Sequence, residues 1–347
     1  MDPIRTITAA ALFASAWVAS APVYAADCVD AAKALGVSRV IDIDTTGGPM
    51  FGSVTKREKE PDFLAPGEVV LTFDDGPVPW VTTPILDLLD QYCTKATFFS
   101  VGDMAVSYPD ITKEVLSRGH TVGTHTWSHP NNLKRLSFEK AKDEIERGFA
   151  AVALAAQTDI APFFRFPGLN DSDELLAYLQ SRGIASFTVD VISNDSFIGS
   201  PQRIADRTLK LVKARNGGIL LFHDLKKPTA KALPAILAGL KANGFKVVHL
   251  RAKSPIVPLA TLDVELQPIL AKAARRNVVP FYGPLPEPKT ADGHVSDVSE
   301  LVPPARSRLT EPAAPSNRQA SSDPLRRKKS GLRKRRSRRA PQTEPAA

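Results

Sequence analysis

Two adjacent carboxylates, Asp74 and Asp75, sit in Thr72-Phe73-Asp74-Asp75-Gly76-Pro77, directly after the apolar run Glu68-Val69-Val70-Leu71. Two histidines four apart, His125 and His129, come later, and His223 follows Gly218-Ile219-Leu220-Leu221-Phe222. One Asp and two His make a three-ligand metal set that leaves a coordination position open, as catalytic rather than structural zinc sites do. Neighbouring carboxylates on a turn cannot point the same way. One can bind a metal while the other reaches a water beside it, and Gly76-Pro77 supplies the turn. If 125–129 is helical, both imidazoles lie on one face and can share the metal, with Thr124 and Ser128 near enough to orient them. His223 is then spare for acid work, held protonated by Asp195 or Asp190. Arg165, inside Phe163-Phe164-Arg165-Phe166-Pro167-Gly168, needs a carboxylate partner if it is buried. Asp74 is the candidate, and a paired, ionised Asp74 stays competent as a base. The chemistry these residue types suit is that of a metal-dependent hydrolase.

Such residues need a frame that brings them together. Strand-like apolar runs at 68–73, 96–101, 121–123, 163–166, 185–189, 219–222 and 246–250 alternate with amphipathic segments at 82–91, 111–118, 137–156, 172–182, 202–214 and 229–243. Asp171 with Glu174 reads as a capping pair. Gly119, Gly183, Gly217 and Gly244 fall where a left-handed helix cap is wanted. Strands alternating with helices predict a parallel sheet. Asp74 and Asp75, His125, Arg165, Asp190 and Asp195, and His223 each lie at or just past the end of a different run. In a closed barrel those ends share one face, whereas an open sheet offers mainly one switch point. The expected fold is α/β, a distorted (β/α)7-type barrel with a disordered basic C-terminal tail.

The 347 residues, 43% hydrophobic and 24% charged, suffice for a sizeable core. The net charge of +8 misleads, because ten Lys and Arg residues with no acid among them lie in 326–339 and leave the rest at about −2. The folded domain therefore shows no charge suited to nucleic acid, while the tail could contact an anionic surface. Near the start, no charge occurs between Arg5 and Asp27, and an Ala-rich stretch over 7–18 leads to Val23-Tyr24-Ala25. That pattern predicts a signal peptide over 1–25 and an exported protein, periplasmic or secreted. An N-terminal extension without a firm period follows at 26–65. A barrel is expected over 66–252, a C-terminal extension with one helix (262–276) over 253–283, and a Pro- and Arg-rich tail too poor in apolar residues to order over 284–347. The only cysteines are Cys28 and Cys93. After export they can form a disulfide tying the extension to the barrel, worth on the order of 4 kcal/mol, or remain two free thiols.

Taken together, these residues resemble the polysaccharide deacetylase (NodB-homology) family, carbohydrate esterase family 4, over 66–252. Residues 72–77 are similar to its first motif, 125–129 to its second and 221–223 to its last; Ala96-Thr97-Phe98-Phe99 and Gly119-His120 also fit. The resemblance implies a divalent metal, usually Zn2+, held by Asp75, His125 and His129. It implies Asp74 as base, His223 as acid, Arg165 as tether of the base and Asp195, ahead of Asp190, as support of the acid. Gly168, with Pro167 and Leu221, would face the oxyanion and substrate. The substrates implied are N-acetylated sugars of chitin oligomers or peptidoglycan, with acetate released. An O-acetyl (xylan-type) esterase and a catalytically lapsed glycan-binding protein are the alternatives. Two departures stand out: Gly168 directly follows Pro167, where the family has an aromatic residue, and Ser196 follows Asp195, where it has Trp.

Overall fold

Strand β3 (Glu68–Asp74) is buried along its whole length, as a strand covered on both faces must be. Alternate side chains leave it in opposite directions. Val69, Leu71 and Phe73 enter a core shared with helices, whereas Val70 joins a second cluster built from strand residues, on the side that also carries Thr72 and Asp74. Strand β9 (Gly218–His223) divides in the same way: Leu220 and Phe222 face the helices, and Ile219 and Leu221 the second cluster, on the side of His223. The two strands pair in parallel with Asp74 opposite His223. The second cluster is thus the inside of a barrel and the first the layer between strands and helices.

The computed structural model describes residues 28, 31–54 and 63–277. The expected signal peptide and basic tail lie outside them. The other strands are β1 (Arg39–Ile43), β2 (Met50–Phe51), β4 (Thr97–Ser100), β5 (Thr121–Thr124), β6 (Phe163–Phe164), β7 (Ala185–Phe187), β8 (Val191–Ile192) and β10 (Lys246–Ala252). The helices are α1 (Pro79–Gln91), α2 (Gly102–Ser107), α3 (Pro109–Ser117), α4 (Phe138–Ala156), α5 (Asp173–Ser181), α6 (Pro201–Arg215), α7 (Lys227–Ala242) and α8 (Ala260–Asn277).

Strands β3 to β7 pair successively in parallel, except that β3 meets β4 only from Thr72 onward. Below that point β10 takes the same edge of β3, pairing Lys246 and Val247 with Glu68 and Val69. On its other edge β3 pairs with β9, and β9 with β8. Residues 188–190 join β7 to β8 and complete the ring. The distortion expected of a seven-stranded barrel is therefore twofold: β10 is wedged in at one end, and the fifth run breaks into β7 and β8.

The extension departs from its aperiodic reading. It supplies β1, which pairs with β10, and β2, which pairs with β7. A two-residue strand has no period to detect, and β1 shows only one fully buried position. The cap of α5 also differs, because the Ser172 side chain, not Asp171, accepts from the Leu175 N–H. Cys28 and Cys93 form a disulfide with Cα atoms 5.5 Å apart, spanning 65 residues. No helix among the described residues is long and apolar enough to cross a membrane.

Candidate active site

Arg165 lies just past β6 with its side chain fully buried inside the barrel. Its Nη1 donates to Asp74 Oδ1 (2.6 Å) and Thr72 Oγ1 (2.8 Å). Its Nε donates to the Phe187 carbonyl (3.2 Å), and the guanidinium lies 4.1 Å from the centre of the Phe99 ring. An ion so enclosed is tolerable only with its charge paired and its N–H groups satisfied. Burial raises the Asp74 carboxyl above its ordinary value, and the Arg165 charge opposes that rise. Oδ1 is taken by Arg165, which leaves Oδ2, 3.9 Å from His125 Nε2.

His125 and His129 do not share a helix. Residues 125–129 form an irregular loop, with Thr126 at φ 70 and His129 at φ 53. Backbone contacts hold it: Gly102 and Asp103 N–H donate to the Thr126 and Trp127 carbonyls (both 2.9 Å), and Trp127 N–H to the Glu144 carbonyl (2.8 Å). The approach of α4 requires Gly148, where a Cβ would stand 2.8 Å from the Thr126 carbonyl carbon. Ser128, expected to orient an imidazole, instead donates to the Glu144 carboxylate through N–H (2.9 Å) and Oγ (2.8 Å). The ring of His125 is set by its Nδ1, which donates to the Arg165 carbonyl (2.6 Å). One residue thus fixes both Asp74 and His125.

The expected ligand set converges without the helix. Ligand atoms of Asp75, His125 and His129 all lie within 4.8 Å of one another. Asp75 takes φ 79, and its Oδ1 stands 3.7 Å from His125 Nε2 and 3.4 Å from His129 Nε2. That oxygen is buried and has no hydrogen-bond partner among the described residues. Burial pushes the His125 imidazole down to about 3, so it is neutral and its Nε2 carries a lone pair. An orphaned carboxylate oxygen facing two imidazole nitrogens fits a divalent cation.

On the opposite flank, His223 Nδ1 donates to Asp195 Oδ1 (2.7 Å), and Asp195 Oδ2 accepts from the His223 N–H (2.8 Å) and Thr229 Oγ1 (2.6 Å). Burial alone would lower the His223 imidazole, but the hydrogen bond and charge of Asp195 raise it to about 9. Asp190 does not reach His223. It accepts from the Ile219 N–H (2.8 Å), Ser53 Oγ (2.5 Å) and Arg215 Nη2 (3.3 Å). Pro167 and Gly168 form a turn just past β6, two and three residues beyond Arg165, with Gly168 at φ 61. Leu221 lies on β9 opposite Thr72, on the same side of the strand as His223.

Two positioning residues escaped sequence reasoning. Thr72 gives Arg165 its second acceptor, and its only signal was a hydroxyl in an apolar run. Asp224 is buried, with Oδ1 accepting from the Gly76 N–H (2.8 Å) and Oδ2 from Thr82 Oγ1 (2.8 Å), while its own N–H donates to the Asp74 carbonyl (3.1 Å). It braces the turn that parts Asp74 from Asp75. Burial pushes its carboxyl up to about 7. An acid directly after His223 was visible in the sequence, but nothing there said which turn it would meet.

The family model described as Polysaccharide deacetylase matches residues 64–187. A chitooligosaccharide deacetylase of Bradyrhizobium sp. (strain ANU 289) is 30% identical over 193 residues, 52% of this chain and 87% of that protein. A peptidoglycan-N-acetylglucosamine deacetylase of Listeria monocytogenes is 33% identical over 180 residues, 52% of this chain but 37% of that protein. The chain therefore spans little more than a third of the Listeria relative's length. Among solved structures, a peptidoglycan deacetylase of Bdellovibrio bacteriovorus superposes with TM-score 0.56 at 32% identity, covering 62% of this chain and 59% of its own. With the motifs, the barrel and a relative matched over most of its length in agreement, this chain belongs to the polysaccharide deacetylase family.

Proposed function

We propose that the chain is a metal-dependent hydrolase that removes acetyl groups from N-acetylated sugars of a poly- or oligosaccharide, of chitin-oligomer or peptidoglycan type. The observation that carries this reading is the buried, unpartnered Asp75 Oδ1 between the Nε2 atoms of His125 and His129. Those three residues would hold the cation, most simply Zn2+ given two imidazoles and a carboxylate. When bound, such an ion polarises an acetyl carbonyl and acidifies water. Asp74 takes the proton of the attacking water at Oδ2, because Oδ1 is held by Arg165. His223, its Nδ1 committed to Asp195, gives its Nε2 proton to the leaving amine nitrogen. The Gly168 N–H donates to the developing oxyanion. Pro167 fixes the turn that presents Gly168, and Leu221 lines the acetyl side.

Residues 66–252 would be the catalytic unit. The chain would act outside the cytoplasm, a reading supported by the leader-like 1–25 and by a disulfide, which persists in oxidising compartments. The reading is tested by acetate release from chitin oligomers, peptidoglycan and acetylated xylan, before and after chelation and with Zn2+ restored. The expected result is chelator-sensitive release from at least one N-acetylated polymer. Ser196 and Gly168, standing where the family resemblance implies aromatic side chains, favour a second reading, a glycan binder without turnover. Binding with no acetate from any substrate, metal present, would establish it instead. Release from xylan alone would point to the ester.

A further inference from the structure

We infer that Phe197 is a sugar-stacking platform on the His223 rim of the site; this rests on the glycan-deacetylase reading and adds where the substrate is gripped. Phe197 is 89% exposed, the most exposed of the large hydrophobic side chains among the described residues. A lone apolar side chain at a surface needs no explanation by itself. Its mounting is what points to a ligand. Asp195, two residues before it, is buried on His223, and Ser196, one residue before it, places Oγ 3.0 Å from His223 Nδ1. Ile198, one residue after it, packs against the main core. Phe197 and Ile198 N–H both donate to the Asn194 carbonyl (3.0 Å), and Asn194 takes φ 61. Phe197 is therefore the outward tip of a turn anchored on both sides, within a residue of a side chain that touches the acid.

The chemistry of such a tip selects its occupant. A phenyl ring has two χ angles and an electron-rich face, so a fixed one loses little entropy on contact. The C–H face of a pyranose ring complements it, while the sugar hydroxyls remain in water. The strand order extends the surface. Phe197 follows β8, Leu225 follows β9 and Trp80 opens α1 after β3, and these three strands lie side by side. Leu225 is 37% and Trp80 38% exposed, and Trp80 is braced edge-on by Tyr108 with centroids 5.8 Å apart. A run of apolar side chains past three adjacent strand ends suits several linked sugar units, with the one beyond the reacting unit resting on Phe197.

The test titrates the full chain with N-acetylglucosamine oligomers from dimer to hexamer by calorimetry and measures acetate release in parallel. The variants are Phe197→Ala, Phe197→Tyr and, on α8 as an equally apolar control, Val264→Ala, whose side chain is 77% exposed. Phe197→Ala should weaken binding of the longer oligomers by about tenfold and raise KM alike, with kcat at saturation within about twofold. Phe197→Tyr and Val264→Ala should bind as the parent does. Parent-like oligomer affinity in Phe197→Ala, or no oligomer binding by the parent protein, overturns the inference. The two readings fail separately. Binding that depends on Phe197 without any acetate release removes the deacetylase and keeps the platform, whereas release with KM unchanged by Phe197→Ala does the reverse.

Discussion

Arg165 Nη1 and Asp74 Oδ1 stand 2.6 Å apart inside the barrel, with side chains 0% and 3% exposed. Removing only the cation would leave a buried carboxylate uncompensated, which typically costs about 3–5 kcal/mol. Arg165→Leu should therefore lose stability on that scale, while Arg165→Leu/Asp74→Asn should recover part of it. Denaturant midpoints of the four proteins give the coupling, expected in the range of roughly 0.5–3 kcal/mol. Purely additive losses would mean that Arg165 is kept for its contacts with Thr72 and the Phe187 carbonyl, not for the charge.

Asp74→Asn separates base from ligand. Asp74 Oδ2 is 3.9 Å from His125 Nε2, yet Asp75 presents the oxygen lying between the two histidines. The variant should retain metal at parental stoichiometry and lose about 10²–10⁴-fold in turnover. Elemental analysis beside an acetate assay decides it. Near-parental release would remove Asp74 as base, and loss of the metal would make it a ligand.

The frame was legible because both faces of β3 and β9 are buried, which leaves long apolar runs in the sequence, and because the chemistry clusters where those runs end. The residue types were legible too, and the ligand atoms of Asp75, His125 and His129 lie within 4.8 Å of one another. What failed depended on tertiary context. The loop at 125–129 looks helical by spacing alone, but the carbonyls of Thr126 and Trp127 are claimed by α2 and the N–H groups of Trp127 and Ser128 by Glu144 of α4. The strand pattern alone leaves Asp190 and Asp195 open, since both follow the same run, and only the family resemblance ranks Asp195 first. The break between β7 and β8 turns one toward Ser53 and Arg215 and the other toward His223. Asp224 and Thr72 act on segments far away in sequence, so no local pattern marks them.

The His223–Asp195 pair sets a pH signature. His223 is raised to about 9 against an ordinary 6.5. A folded value above the unfolded one means the pair stabilises fully below about 6.5 and loses that contribution as pH rises through about 9. If His223 is the acid, kcat falls over the same upper range, because the proton it must give is gone. Asp195→Asn removes the charge that holds the proton, so the falling limb of the kcat profile should move to lower pH. An unmoved limb would assign it to another group.

Metal removal has a readout that does not depend on turnover. Among the described residues the buried Asp75 Oδ1 atom has no hydrogen-bond partner, so without a cation it is a costly group to enclose. A ligand that binds only the folded chain stabilises it by about 4 kcal/mol at a thousand times its dissociation constant. Chelation of the parent protein should therefore lower Tm and Zn2+ should restore it. His129→Ala, which removes the more exposed imidazole (34% against 3%) with little loss of core packing, should show a lower Tm that Zn2+ no longer raises. A Zn2+-dependent rise of parental size in that variant, at parental metal affinity, would place the cation away from Asp75, His125 and His129.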